Sequence, residues 1–149
     1  MALGSGSLHS PHNKNELFTL TASEWIVKKE YPDASAIHYF SILTVEKKFI
    51  LFGGWNPGAT QQENGVRVDT IARFDPAKNK WKTLGKLKKT RARPCAVQLD
   101  NEFIIVGGKQ DKDGNVATES CKFTKPSKMI CTERKPELPT DVLSFGISN

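Results

Sequence analysis

Two glycine pairs, Gly53-Gly54 and Gly107-Gly108, close the segments "KKFILFGG" and "NEFIIVGG" 54 residues apart. Each pair ends an apolar run too short for a helix, with the composition of a strand buried on both faces. A second recurrence keeps step with the first. Phe18 and Phe74 each stand seven residues before a tryptophan, Trp25 and Trp81, and Phe123 stands seven before Ile130, with turn-forming residues between. Two features repeating in one order at one period dictate a repeat architecture, in which each unit buries its faces against its neighbours.

One unit reads as four strands. "AIHYFSILTV" and "RPCAVQLD" carry small and apolar residues suited to an innermost strand, where units crowd a central axis. "FILF" and "FIIV" supply the second strand. "VDTIARFD" and "KWKTL" supply an outer hairpin closed by "DPAKNK", whose Asp, Pro and Asn are turn formers. The glycine pair falls where missing side chains let backbones approach or adopt positive φ. The tryptophan offers a large flat surface for packing between sheets.

This order of a double glycine, an aromatic-Asp-Pro turn and a tryptophan resembles the kelch repeat. The resemblance covers residues 16 to 149, although the third unit lacks its tryptophan and Phe74 stands where the family usually has tyrosine. It implies an all-β fold, an incomplete kelch-type β-propeller of four-stranded antiparallel blades. The expected organisation is a flexible segment at 1–15, a partial blade at 16–28, blades at 37–84 and 94–134, and the first strand of a further blade at 141–149. About eleven strands fall short of the 4–8 four-stranded blades of a closed propeller. A fragment of a longer protein is therefore expected, with closure by self-association or a small open fold as alternatives.

Composition narrows the classes. With 38% apolar and 26% charged residues, the chain fits a globular rather than a disordered protein. No apolar run approaches the roughly 20 residues that span a bilayer, so no membrane is expected as a partner. The N-terminus lacks the apolar stretch of about 7–15 residues of a signal peptide, which reads as cytoplasmic. The net charge of +6 permits acidic partners. The run "KNKWKTLGKLKKTRAR" holds eight basic residues in sixteen and no acid. Its lysines alternate around Trp81 on an expected outermost strand, where lysine discourages stray pairing. The aromatic interleaving of a single-strand nucleic-acid groove is missing, so nucleic acid is disfavoured.

No nucleophile-base pair, phosphate loop or carboxylate pair stands out, and the chain is expected not to be an enzyme, to need no cofactor and to hold no metal. His9, His12 and His38 have no partners at ligand spacing, and Cys95, Cys121 and Cys131 form no CxxC. Cys121 and Cys131 flank "CKFTKPSKMIC" symmetrically about Pro126, and the pattern resembles extracellular kelch-type proteins whose cysteines bracket this hairpin. A disulfide, implying an extracellular location, and two buried thiols are both open readings.

The resemblance implies a non-enzymatic scaffold that binds another protein, through an acidic motif, with the loops of one propeller face. Candidate contacts are Trp55, Asn56, Gln61, Gln62 and Asn64 in one loop, Lys109, Gln110 and Asp111 in its counterpart, and Arg91 and Arg93 in the segment entering an innermost strand. Guanidinium groups there would grip carboxylates. The alternatives are a fragment of a kelch-fold enzyme, an oxidase or a sugar-modifying protein, and a basic nucleic-acid-binding surface.

Overall fold

The computed structural model describes residues 2–5, 15–20, 25–30, 37–56, 65–109 and 116–138; before residue 37, and at 116–117 and 136–138, the description is of backbone alone. The strands are β1 (Ala2–Ser5), β2 (Asn15–Leu20), β3 (Trp25–Glu30), β4 (Ser41–Val45), β5 (Lys48–Phe52), β6 (Trp55–Asn56) and β7 (Val66–Arg67). They continue with β8 (Thr70–Asp75), β9 (Lys80–Lys86), β10 (Cys95–Leu99), β11 (Glu102–Val106), β12 (Val116–Lys125) and β13 (Lys128–Leu138). No helix occurs among the described residues.

Two four-stranded antiparallel sheets, in the orders β4-β5-β8-β9 and β10-β11-β12-β13, are the blades expected of the repeat. A three-stranded sheet, β1-β2-β3, precedes them, so the lead-in at 1–15 contributes a strand, with Ala2 opposite Phe18. The segment 141–149 lies outside the described residues.

Local chemistry explains the turns. Asp75 Oδ1 accepts the backbone N–H groups of Ala77 (3.1 Å) and Lys78 (3.3 Å), and Asn79 takes the left-handed φ of 49° that closes the hairpin. Phe74 then faces Trp81 across β8 and β9. The other two hairpins pair their phenylalanines differently, the second with Cys131 opposite Cys121 as its symmetry about Pro126 leads one to expect. Phe18 faces Val27, and Phe123 faces Met129. In the Phe123 hairpin a register shift between Phe123 and Lys125, on the turn side, accounts for this, whereas Phe18 to Leu20 pair in unbroken register with Val27 to Trp25. Ile130 consequently points outward at 45% exposure and does not take a tryptophan's place.

Alternation along the strands gives each blade two apolar faces. Ile50, Phe52, Ile71 and Leu84 of the first blade pack against Phe103, Ile105, Cys121 and Met129 of the second, forming the main core. Leu51 and Ala72 look the other way, with Phe49 and Trp81 packed beside them. Each fully buried aliphatic or aromatic side chain contributes about 1.5–3 kcal/mol, so this seam holds the blades together. At its inner end Ala96 N–H donates to Ser41 Oγ (3.0 Å). At its outer end β9 and β13 approach so closely that a Cβ on Gly85 would lie 2.3 Å from the Met129 carbonyl oxygen.

The 54-residue offset locates corresponding positions in the two blades. Phe49 corresponds to Phe103; Phe74 lies opposite the former and Cys121 opposite the latter. Trp81 faces Phe74, and Cys131 faces Cys121. The aromatic stack of one blade, with ring centroids 5.0 Å apart, therefore occupies the position that the Cys121–Cys131 disulfide holds in the next.

Candidate functional site

The glycine pairs bring the blades' central ends together. Gly53, Gly54, Gly107 and Gly108 all have positive φ, at 61°, 123°, 69° and 87°. A Cβ on Gly53 would stand 2.7 Å from the Arg91 carbonyl oxygen, so only glycine allows this contact. Gly54 N–H donates to that same oxygen (2.8 Å). The segment entering the second blade is thus fastened to the end of the first blade's second strand.

Two non-glycine residues at this end also have positive φ, Tyr39 at 55° and Arg93 at 56°. They occupy equivalent places in the repeat, each immediately after an isolated bridge, His38 to Trp55 and Ala92 to Lys109. Bulky residues rarely adopt this conformation, and it persists where surrounding bonds impose it. Here Arg93 N–H donates to the Tyr39 carbonyl (2.7 Å), and the Arg93 guanidinium lies 4.4 Å over the Tyr39 ring. Tyr39 is 42% exposed and Arg93 is exposed, so the stacked pair faces solvent. The Tyr39 and Trp55 rings are 6.2 Å apart, and the His38 ring lies 6.1 Å from Trp55. His38 is buried, with Nε2 lacking a hydrogen-bond partner among the described residues, and burial lowers its pKa below the usual histidine value.

Of the expected contact residues, this end assembles Trp55, Arg93 and exposed Lys109, whose N–H and carbonyl both bond Ala92 (2.7 and 2.9 Å). Trp55 and Asn56 form a short ribbon with Arg67 and Val66 rather than a loop. Gln61, Gln62, Asn64, Gln110 and Asp111 lie outside the described residues. Tyr39 was not singled out from sequence, although the repeat places it at the position of Arg93.

Arg91 requires a correction. It was expected to grip a partner, but it is completely buried. Its guanidinium forms an ion pair with Glu119, also completely buried, and donates from Nη1 to the Gly107 carbonyl (3.0 Å). Glu119 also accepts the backbone N–H groups of Lys88 (2.6 Å) and Lys89 (3.2 Å). Burial pulls the Arg91 pKa down and the Glu119 charge opposes it. The pair is an internal brace that ties the entering segment to β12.

The basic run is also partly neutralised by acidic partners. Lys86 pairs with Asp69 (3.2 Å) and Lys89 with Glu133 (3.6 Å), in addition to Arg91 with Glu119. Among the described residues, one group of possible metal ligands gathers, Glu119 with Cys121 and Cys131. The carboxylate is already occupied by Arg91 and two backbone donors, and the sulfurs are joined to each other. Those three do not fit a metal.

Residues 36–88 match the Kelch motif family model. The chain is 28% identical over 98 residues to the Kelch repeat and BTB domain-containing protein 12 of Danio rerio, covering 64% of this chain and 15% of that protein. It is 26% identical over 133 residues to the Kelch-like protein 40a of Danio rerio, covering 89% of this chain and 20% of the relative. It thus spans a fifth or less of the length of these curated relatives. Among solved structures, one titled "Structure of YjhT" superposes with a TM-score of 0.61 at 14% identity, over 80% of this chain and 38% of that one. That likeness concerns the fold, a kelch-type β-propeller.

Proposed function

We propose, from the premise that this chain is built of kelch repeats, that it is a non-enzymatic module binding another protein through the blade end bearing Tyr39, Trp55, Arg93 and Lys109. Kelch-repeat proteins are typically protein-interaction scaffolds. The observation that carries the choice of surface is the exposed Arg93 guanidinium stacked over exposed Tyr39 at 4.4 Å, on backbone positions held at positive φ. Stacking orients the guanidinium plane while leaving its N–H fork open to a carboxylate. Trp55 adds an aromatic surface beside it, and aromatic residues with arginine are enriched among residues that dominate protein interfaces.

The partner is a protein presenting an acidic motif. The test is an array of acidic peptides and their lysine-substituted counterparts, probed with the chain and with Arg93→Ala. Selective retention of acidic peptides is expected, weakened by about 1.5–3 kcal/mol in the variant, the range for hydrogen bonds to charged groups. Thermal stability should change little. Equal retention of acidic and basic peptides, or an Arg93→Ala variant that unfolds and keeps its residual affinity, would overturn the proposal.

A further inference from the structure

At the opposite end of the same blades the structure holds a cleft that the proposed partner surface does not use. The β4–β5 hairpin carries Tyr39 and Gly53-Gly54 beyond one end and the turn Glu46-Lys47 at the other, so the two ends are separated by the full strand length. Between this turn, the Asp75–Lys80 turn and the corresponding turns of the second blade lies a cavity of about 750 Å³. That volume falls within the roughly 300–1,000 Å³ of ligand clefts.

Its lining has two tiers. Ile50 and Phe103 close the floor and are themselves 1% and 2% exposed. Val45 and Phe123 remain half-buried, so theirs is the apolar surface left open within the cleft. The rim is basic: Lys48, Arg73, Lys78 and Lys125 line it, against two acids, Glu46 and Asp75. Both acids are engaged locally. Asp75 Oδ1 caps its own turn, and Glu46 stands 4.0 Å from Lys48. Arg73 donates to the Pro126 carbonyl (2.7 Å), fastening the rim across the seam. Lys78 and Lys125, both exposed, have no carboxylate partner among the described residues.

We infer that this inter-blade cleft is a second docking site, for an acidic peptide segment that inserts one apolar side chain against Val45 and Phe123. Two unpaired ammonium groups beside a half-covered apolar patch complement a segment with carboxylates flanking a large apolar residue. A purely polar anion would leave the patch wet, and a neutral apolar ligand would leave the lysines without counter-charge. The site stands on its own residues and does not depend on the function proposed for Arg93.

The probe is a fluorescein-labelled five-residue peptide, four glutamates around a central phenylalanine, titrated into the full chain by anisotropy. Binding should weaken at least tenfold in the double variant Lys78→Glu/Lys125→Glu, with an unchanged melting curve. A peptide with alanine at its centre should also bind at least tenfold more weakly, whereas Arg93→Ala, which removes the other acidic-peptide site, should leave a saturable binding phase that still depends on the central phenylalanine. The inference is overturned by no saturable binding at millimolar protein, by equal binding to the charge-reversed variant, or by indifference to the central residue. Loss of all binding in Arg93→Ala would also overturn it, assigning the peptide to the other end. A labelled oligonucleotide or anionic vesicle that displaces the peptide while the central residue has no effect would make this a simple basic surface.

Discussion

Arg91 and Glu119 form an ion pair with no solvent exposure on either side, at the point where the segment entering the second blade meets β12. The pair replaces purely apolar contact: the repeat equivalent of Arg91 is Ile37, and Ala72 holds the place of Glu119 opposite the second strand. A charge pair in this setting gives little net stability but makes each partner indispensable to the other.

Removing either partner alone should therefore be severe. Arg91→Met or Glu119→Leu alone should destabilise by about 3–5 kcal/mol, because the remaining charge stays buried without its counter-ion. Replacing both by apolar residues, Arg91→Met with Glu119→Leu, should cost much less than the two single changes together. Urea titration of the four proteins measures the coupling. Strict additivity would show that the ions act independently.

Gly85→Ala tests the seam at its outer rim. The new methyl group would lie 2.3 Å from the Met129 carbonyl oxygen, a backbone atom that cannot swing aside. The strands must separate, with an expected loss of about 1–3 kcal/mol. Thermal denaturation is the measurement, and an unchanged midpoint would mean that the blades tolerate wider spacing.

Acidification should weaken the fold through His38. Burial lowers its folded pKa below the unfolded value of 6.5. Between those two values the unfolded chain binds the additional proton, so stability falls as pH drops through this window and is retained above it. His38→Gln should remove that part of the pH dependence. Following the His38 ring proton by NMR across the same range measures the folded value directly, and a midpoint above 6.5 would reverse the sign.

The outer hairpins should respond to different treatments. Phe74→Ala should cost about 3–5 kcal/mol, since Phe74 is 1% exposed, whereas half-buried Trp81 should cost less on truncation. Cys121→Ser with Cys131→Ser should cost about 3 kcal/mol through the freed ten-residue loop. Denaturation with and without reductant separates the two. Reductant should shift the midpoint of the parent protein and leave the serine variant unmoved.

What could be read from sequence followed from how narrowly physics restricts the residue. The glycine pairs were legible because positive φ and a close backbone approach admit almost nothing else, and Asp75 because its side chain closes its own turn. The hairpin of Phe123 was legible in part: its symmetry about Pro126 sets Cys121 opposite Cys131, but the bulge between Phe123 and Lys125 leaves no fixed residue type behind. Arg91 looked like a binding group because its partner Glu119 stands 28 residues later, in a strand whose pairing the local pattern does not encode. Tyr39 escaped notice for a similar reason. Its importance arises only when Arg93, 54 residues away, folds over its ring.

The Phe74–Trp81 stack and the Cys121–Cys131 bridge occupy one structural slot, and this bears on how such units are counted. The slot is defined by backbone geometry: opposite the second strand, across the outer hairpin. Its chemical content is free to drift between aromatic contact and covalent bond. Of the two four-stranded blades, a census keyed to the tryptophan would find one. A census keyed to the paired glycines, which the backbone cannot exchange, would find both.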